Sequence, residues 1–181
     1  MKKCSWIFLA ILFSVSGCVI NSTRELPQGG VASEDRAVIV YGVQMEGPWE
    51  YAGFDLQLAE YNLKAEQITG NCLTFNRTDA RVPSTPGETK YFAFDVPAGH
   101  YVYSPFNSTE LEGGVRAFEA PPWQSVYIGD FIYQKNKTIK LRRNLTEAQS
   151  AIDKALPGLN GHLTLAKAMP AKATYIFVCT P

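Results

Sequence analysis

The 181-residue sequence predicts a mainly β protein, an antiparallel β-sandwich with one short helix in its C-terminal half. Short runs rich in β-branched and aromatic residues recur from Arg36 onward, and Gly, Pro, Asn and Asp separate them. About nine such runs fall within ~146 residues, and most of their connections are short and polar. Only one segment has the spacing of an amphipathic helix. Short connections favour antiparallel pairing, because parallel strands need long crossovers.

The predicted strands follow the β-rich runs in chain order. Phe92, Phe94 and Val96 alternate with more polar neighbours, which is typical of a half-buried strand. The Pro-Ala-Gly turn at 97–99 then predicts a hairpin between residues 90 and 103. A glycine at position 129 predicts a bulge or bend within a central strand. The predicted strands cover residues 37–44, 54–61, 72–76, 90–96, 100–103, 114–118, 125–133, 138–141 and 174–179.

The helical segment runs from Thr146 to Leu156. Thr146 and Gln149 fit a capping box, and Pro157-Gly158 ends the pattern. We expect this helix to cover one end of the sheets rather than to bind a partner. Its apolar stripe consists of Ala148, Ala151, Ile152, Ala155 and Leu156.

The first residues have the layout of a secretory signal peptide. Two lysines precede an apolar run of eight residues, 6–13, which is too short to span a bilayer. The following Val15-Ser16-Gly17-Cys18 resembles the lipobox of bacterial lipoproteins. That resemblance implies cleavage before Cys18, diacylglycerol on its sulfur and acylation of the new amino group. The alternative is ordinary cleavage after Gly17, which would leave Cys18 as a plain thiol.

We therefore divide the chain into a signal peptide (1–17), a lipidated N-terminus with a flexible tether (18–35) and a single sandwich domain (36–181). As a random coil, the tether would hold the domain ~20–25 Å from the acyl chains. The sorting rule of bacterial lipoproteins retains at the inner membrane those chains that have aspartate directly after the lipidated cysteine. This chain has Val19 and Ile20 there instead. We expect the periplasmic face of the outer membrane as the location and the bilayer as one partner.

Cys72 and Cys179 are the cysteines that processing leaves free, because Cys4 departs with the signal peptide. Two such cysteines in an oxidising compartment favour a disulfide. It would close a loop of ~107 residues and stabilise the fold by roughly 4 kcal/mol. The alternative is a pair of buried free thiols.

The sequence contains no recognisable catalytic motif. GxSxG, HExxH, Walker and GxGxxG patterns are absent, and only two histidines occur. We expect no catalytic residues, no metal and no cofactor. Basic and acidic residues number 17 each, so no broad cationic field exists for nucleic acid.

The aromatic residues are the candidate binding surface. Tyr101 and Tyr103 share a strand face, and Trp123 follows two prolines. Exposed together, these rings could stack on a sugar or a peptide. The alternative places them in the sandwich core.

Two segments carry a further resemblance. Val96-Pro97-Ala98-Gly99-His100-Tyr101 and Val126-Tyr127-Ile128-Gly129-Asp130 resemble parts of uncharacterised bacterial lipoproteins with transthyretin-like or prealbumin-like sandwiches. The resemblance covers about residues 90–133 and implies a transthyretin-like sandwich, with an Ig-like one as the alternative. It carries no catalytic position.

These observations predict a noncatalytic, membrane-anchored adaptor or envelope-assembly accessory that docks another envelope protein. The alternative is a module that binds glycan, peptidoglycan or peptide through exposed aromatics. An envelope hydrolase is the second alternative, and it would need two acids that converge in space.

Overall fold

The computed structural model describes residues 20–26, 33–49, 53–71, 73–105, 107, 109–159 and 162–172. Within these residues it contains fourteen strands and one helix. The first seven strands are β1 (Ile20–Asn21), β2 (Arg24–Glu25), β3 (Arg36–Met45), β4 (Gly53–Asn62), β5 (Gln67–Ile68), β6 (Thr74–Phe75) and β7 (Arg77–Pro83). The remaining elements are β8 (Lys90–Pro97), β9 (Gly99–Tyr103), β10 (Arg116–Ala120), β11 (Ser125–Tyr133), β12 (Ile139–Arg142), α1 (Leu145–Ala155), β13 (Leu163–Leu165) and β14 (Ala168–Pro170).

Two six-stranded sheets confirm the predicted sandwich. Sheet I has the order β12-β11-β3-β8-β2, with β13 also paired to β11. Sheet II has the order β14-β10-β9-β4-β5, with β7 also paired to β4. Sheet II is antiparallel throughout, whereas in sheet I the central strand β11 runs parallel to both β3 and β13. The predicted hairpin over residues 90–103 is wrong, because the turn at 97–99 carries the chain from β8 in sheet I to β9 in sheet II and the two strands do not pair.

The core lies between the two sheets and is built on aromatic side chains. Tyr41 of sheet I is fully buried, stacks on Phe94 at 5.6 Å and meets Phe131 edge-on at 5.8 Å between ring centroids. Its hydroxyl donates a hydrogen bond of 3.0 Å to the buried Thr78 Oγ1 on sheet II. This polar group is therefore satisfied across the interface between the sheets.

Helix α1 is present as predicted, but it covers the outer face of sheet I rather than one end of the sheets. Ala148 and Ile152 are its buried residues and pack against Val38, Val40 and other side chains of that face. The helix begins one residue earlier than predicted, because Asn144 rather than Thr146 is the N-cap and accepts a hydrogen bond from the Glu147 N–H.

Strand β7 was not predicted from the sequence. Its inward positions are Thr78, Ala80 and Val82, and the charged Arg77, Asp79 and Arg81 alternate with them. Two of the three inward side chains are small or polar, so the alternation of period two lacks the hydrophobic contrast that identifies a strand. The pairing with β4 over seven residues forms it nonetheless.

The N-terminal segment, residues 20–26, corrects the predicted tether. Ile20 and Asn21 pair with β6, while Arg24 and Glu25 pair with β8. The segment is therefore hydrogen-bonded to the domain, because edge strands on both sides offer unpaired backbone groups. The prediction of a flexible tether over residues 18–35 is therefore wrong for residues 20–26.

Several predictions concern residues outside the described part of the chain. They are the signal peptide at 1–17, the lipidated Cys18, the strand at 174–179 and the Cys72–Cys179 disulfide. Each of these stays a prediction.

Candidate functional site

Trp123 occupies the turn that carries the chain from β10 in sheet II to β11 in sheet I. Its side chain is 67% exposed, and its backbone has a φ of 64°. The Trp123 N–H donates to the Arg36 carbonyl at 2.8 Å, and the Val38 N–H donates to the Gln124 carbonyl at 2.9 Å. Two prolines directly before the tryptophan restrict the backbone further. The indole is therefore presented to solvent on a turn that β3 holds from both sides.

The backbone conformation of Trp123 is unusual for its residue type. A bulky residue in the left-handed region is strained by ~1–2 kcal/mol, because its Cβ approaches the backbone. Such strain clusters at functional positions, where the surrounding structure holds the residue in place. Exposure and strain together mark Trp123 as the leading candidate for binding.

The two tyrosines predicted to share a platform with Trp123 are not on the surface. Tyr101 is fully buried and Tyr103 is 4% exposed, and both belong to the core between the sheets. The Tyr101 hydroxyl donates to the Pro97 carbonyl at 2.9 Å, and the Tyr103 hydroxyl donates to the Thr109 carbonyl at 3.1 Å. The structure thus does not bring the three rings together as an exposed platform, because the inward face of β9 needs large side chains to fill the core.

A buried polar cluster on the outer face of sheet I was not predicted. Asp130 is 1% exposed, accepts a hydrogen bond of 2.6 Å from the Tyr127 hydroxyl and pairs with Arg142 Nη2 at 2.9 Å. Gly42 lies opposite Asp130 on β3, and a Cβ there would overlap the carboxylate. The absence of a side chain at Gly42 therefore creates the space that Asp130 fills.

The bulge at Gly129 explains why the sequence did not reveal this cluster. Residues three apart on a regular strand point to opposite faces. The register of β11 shifts between Tyr127 and Gly129, as predicted for a glycine bulge, and this brings Tyr127 and Asp130 to the same face. Gly129 has a φ of 141°, and a Cβ there would lie 2.7 Å from Leu141 Cδ1. Only glycine fits this position.

The electrostatics of the cluster favour a structural role. Burial raises the pKa of Tyr91 to about 12, and the negative charge of Asp130 adds to that shift. Burial and Asp130 also raise the pKa of Tyr127, while Asp130 raises the pKa of Arg142. The tyrosines therefore stay protonated donors at neutral pH, and the arginine stays charged. The carboxylate is held by a cation and a hydroxyl rather than aimed at a ligand.

An open cavity of about 430 Å³ lies where β3, β7 and β8 approach one another. Val43, Met45 and Val82 form its apolar floor, and Glu88 and Lys90 lie at its rim. Among the described residues, its lining includes a single carboxylate and no histidine. A cavity of this composition has space for a small molecule but not the two acids of a glycoside hydrolase.

The described residues offer no candidate metal cluster and no candidate membrane-spanning helix. Within them, no group of three or more His, Cys, Asp or Glu side chains could hold a metal ion. No helix in this part of the chain has the length and apolar character needed to cross a membrane.

Comparison with protein-family models, with curated proteins and with solved structures finds no match for the chain. The described residues define a mainly β sandwich that presents Trp123, exposed and in the left-handed region, on the turn between its two sheets.

Proposed function

We propose that the protein is a lipid-anchored, noncatalytic adaptor of the bacterial envelope, with acyl chains on Cys18 and a docking turn at Trp123. The exposed indole in the left-handed region carries the docking part of this proposal. Tryptophan is enriched among the residues that dominate protein interfaces, because it buries a large rigid surface at little entropic cost. The lipobox sequence Val15-Ser16-Gly17-Cys18 carries the anchoring part.

Arg36 supports the placement of the partner at the membrane surface. Its side chain donates to the Ser22 carbonyl at 2.6 Å, and its own carbonyl accepts from Trp123 N–H at 2.8 Å. One arginine therefore links the docking turn to the segment that follows the anchor. A partner bound at Trp123 would lie close to the same membrane, as expected for an envelope protein.

Acyl labelling tests the anchor. Metabolic labelling with a fatty acid is expected to mark the wild-type protein, and Cys18→Ser is expected to abolish the label and release the protein from membranes. Cys4→Ser is the matched control and should leave both unchanged, because Cys4 lies in the predicted signal peptide. Label that persists in Cys18→Ser would rule out the proposed anchor.

Site-specific crosslinking tests the docking turn. A photo-crosslinking amino acid at position 123 is expected to capture another envelope protein in intact cells. The same group at Lys154, on the exposed side of α1, should not. Trp123→Ala is expected to weaken binding of the captured partner, once purified, by about tenfold or more. Adducts with lipid alone at position 123 would contradict docking of a protein.

The other two hypotheses have weaker support. Because Tyr101 and Tyr103 are buried, a glycan- or peptide-binding module would keep only Trp123 of the three residues predicted for it. Binding of peptidoglycan fragments that Trp123→Ala abolishes, without a protein adduct, would favour that alternative. An envelope hydrolase lacks a supporting observation among the described residues.

A further inference from the structure

Ile20, the first described residue, and Leu73 are exposed hydrophobic residues that a backbone hydrogen bond joins. Ile20 is 55% exposed and Leu73 is 58% exposed. The Ile20 N–H donates to the Leu73 carbonyl at 2.6 Å, and Ile20 pairs with Thr74 in the β1–β6 ladder. We call Ile20 and Leu73 the apolar edge.

The apolar edge is fixed to the domain. The Asn21 side chain bridges to β7 in both directions, because its amide donates to the Arg77 carbonyl at 2.6 Å and its oxygen accepts from the Arg77 N–H at 3.1 Å. Arg36 donates to the next carbonyl, that of Ser22, and is itself paired with the buried Asp95 at 2.8 Å. The segment cannot swing away without breaking these bonds.

The chain between the apolar edge and Cys18 is very short. Ile20 stands two residues after Cys18. An extended chain spans at most ~3.6 Å per residue, so the two Cα atoms are at most ~7 Å apart. If Cys18 carries acyl chains, as the proposed function requires, Ile20 must lie at the level of the lipid headgroups.

We propose that the apolar edge is a bilayer-contact face, which seats the domain directly on the membrane in one orientation. This inference rests on the proposed anchor. A bilayer is the occupant because acyl chains attached within ~7 Å leave no room for a protein layer between the edge and the lipid. At this depth the aliphatic side chains of the apolar edge would leave water for the boundary of the acyl chains, and this transfer of apolar surface is favourable.

A fluorescence experiment on the full-length, acylated protein tests this proposal. An environment-sensitive fluorescent amino acid replaces Leu73, and in a second sample it replaces Lys154 on the exposed side of α1. Both proteins are reconstituted into phosphatidylethanolamine and phosphatidylglycerol vesicles, with and without nitroxide-labelled lipid. Position 73 is exposed, so the probe should not disturb folding, and thermal unfolding of each sample checks this.

The expected result is a blue-shifted emission at position 73 that nitroxide lipid quenches strongly, with no quenching at position 154. In the Cys18→Ser background the probe at position 73 should report water. Acylated, vesicle-bound protein with equal emission and quenching at both positions would overturn the contact face and leave the anchor intact. Absence of acylation on Cys18 would overturn both, and acyl labelling distinguishes the two failures.

Discussion

Asp130 is a buried carboxylate with a hydrogen-bond donor and a cation as its partners. Its carboxylate is buried against sheet I and receives one hydrogen bond from Tyr127 and one ion pair from Arg142. A buried carboxylate without such partners would be strongly unfavourable. The cluster therefore stabilises the sheet only while all three side chains are present.

Asp130→Asn is expected to lower the free energy of unfolding by ~2 kcal/mol. The amide keeps an acceptor for Tyr127 but removes the charge that pairs with Arg142, and the partial exposure of that arginine limits the loss. Urea denaturation measures the change. Asp153→Asn, on the exposed side of α1, is the control and should stay within ~0.5 kcal/mol of wild type. Equal effects of the two substitutions would contradict this account of the cluster.

Trp123→Gly separates stability from binding. Glycine adopts a positive φ without strain, so relief of ~1 kcal/mol should offset the added entropy of the unfolded chain. The free energy of unfolding is expected to stay equal to wild type or rise by up to ~1 kcal/mol, while partner binding is lost.

Lys140→Gly is the matched control for that substitution, because Lys140 is an exposed strand residue outside the left-handed region. It is expected to lower the free energy of unfolding by ~1 kcal/mol and to leave binding unchanged. Both values come from urea denaturation. A loss of stability in Trp123→Gly as large as in Lys140→Gly would show that the turn is not strained.

At the scale of elements, the pairing of β3 with β11 positions the outer face of sheet I. Gly42 lies opposite Asp130 in this parallel register. A Cβ at Gly42 would also lie 2.6 Å from Thr89 Cγ2 and 2.9 Å from Tyr91 Cε1. The packing of β3, β8 and β11 on this face therefore depends on the absence of a side chain at Gly42.

Gly42→Ala is expected to destabilise the protein by ~3 kcal/mol or more, because the methyl group forces the buried carboxylate to move. Gly99→Ala is the matched control, since the nearest atom to its Cβ would be Glu60 Oε1 at 3.8 Å. That control should change stability by less than ~1 kcal/mol. Thermal unfolding of both variants provides the measurement, and similar losses in the two would disprove the steric argument.

Elements with strong hydrophobic contrast could be predicted from the sequence, and those that depend on small or polar side chains and on distant partners could not. Strand β11 has the bounds that the pattern predicts, and β3 and β8 extend theirs by only one or two residues. Strand β7 was missed because Thr78 and Ala80 take inward positions. The segment at 20–26 was assigned to a tether because its polar composition hides the hydrogen bonds of Asn21, which depend on a strand far away in the sequence.

The candidate site was predictable to a similar degree. The sequence indicates Trp123 only as a candidate binding residue, with burial in the core as the alternative. Its exposure and its positive φ are properties of the folded turn. Tyr101 and Tyr103 were grouped with it because alternation indicates a shared face without saying which face is buried. The cluster at Asp130 depends on a bulge and on a parallel neighbour, and neither is visible in local sequence.

Across the molecule, buried tyrosines make the free energy of unfolding depend on pH in the alkaline range. Burial raises the pKa of Tyr103 to about 12 and raises the pKa of Tyr41 and Tyr133 as well. A tyrosine whose pKa is higher in the folded state contributes stability below the unfolded value near 10, and this contribution is lost as pH rises through the folded value. The free energy of unfolding is thus expected to fall between pH 10 and 12.

Phenolate absorbance and circular dichroism during an alkaline titration check this expectation. The absorbance of the buried tyrosines should appear together with the loss of β structure, in one cooperative step above pH 10. A control titration of the urea-unfolded chain should show independent titration near pH 10. Ionisation of all tyrosines near pH 10 with the fold intact would contradict the burial.

We propose that acyl chains on Cys18 hold this β-sandwich at a membrane. Intact mass spectrometry of the protein purified from bacterial membranes tests this anchor. We predict a mature chain that begins at Cys18 and carries diacylglycerol and an amide-linked acyl group. A chain that retains residues 1–17, or one with an unmodified Cys18, would contradict the claim.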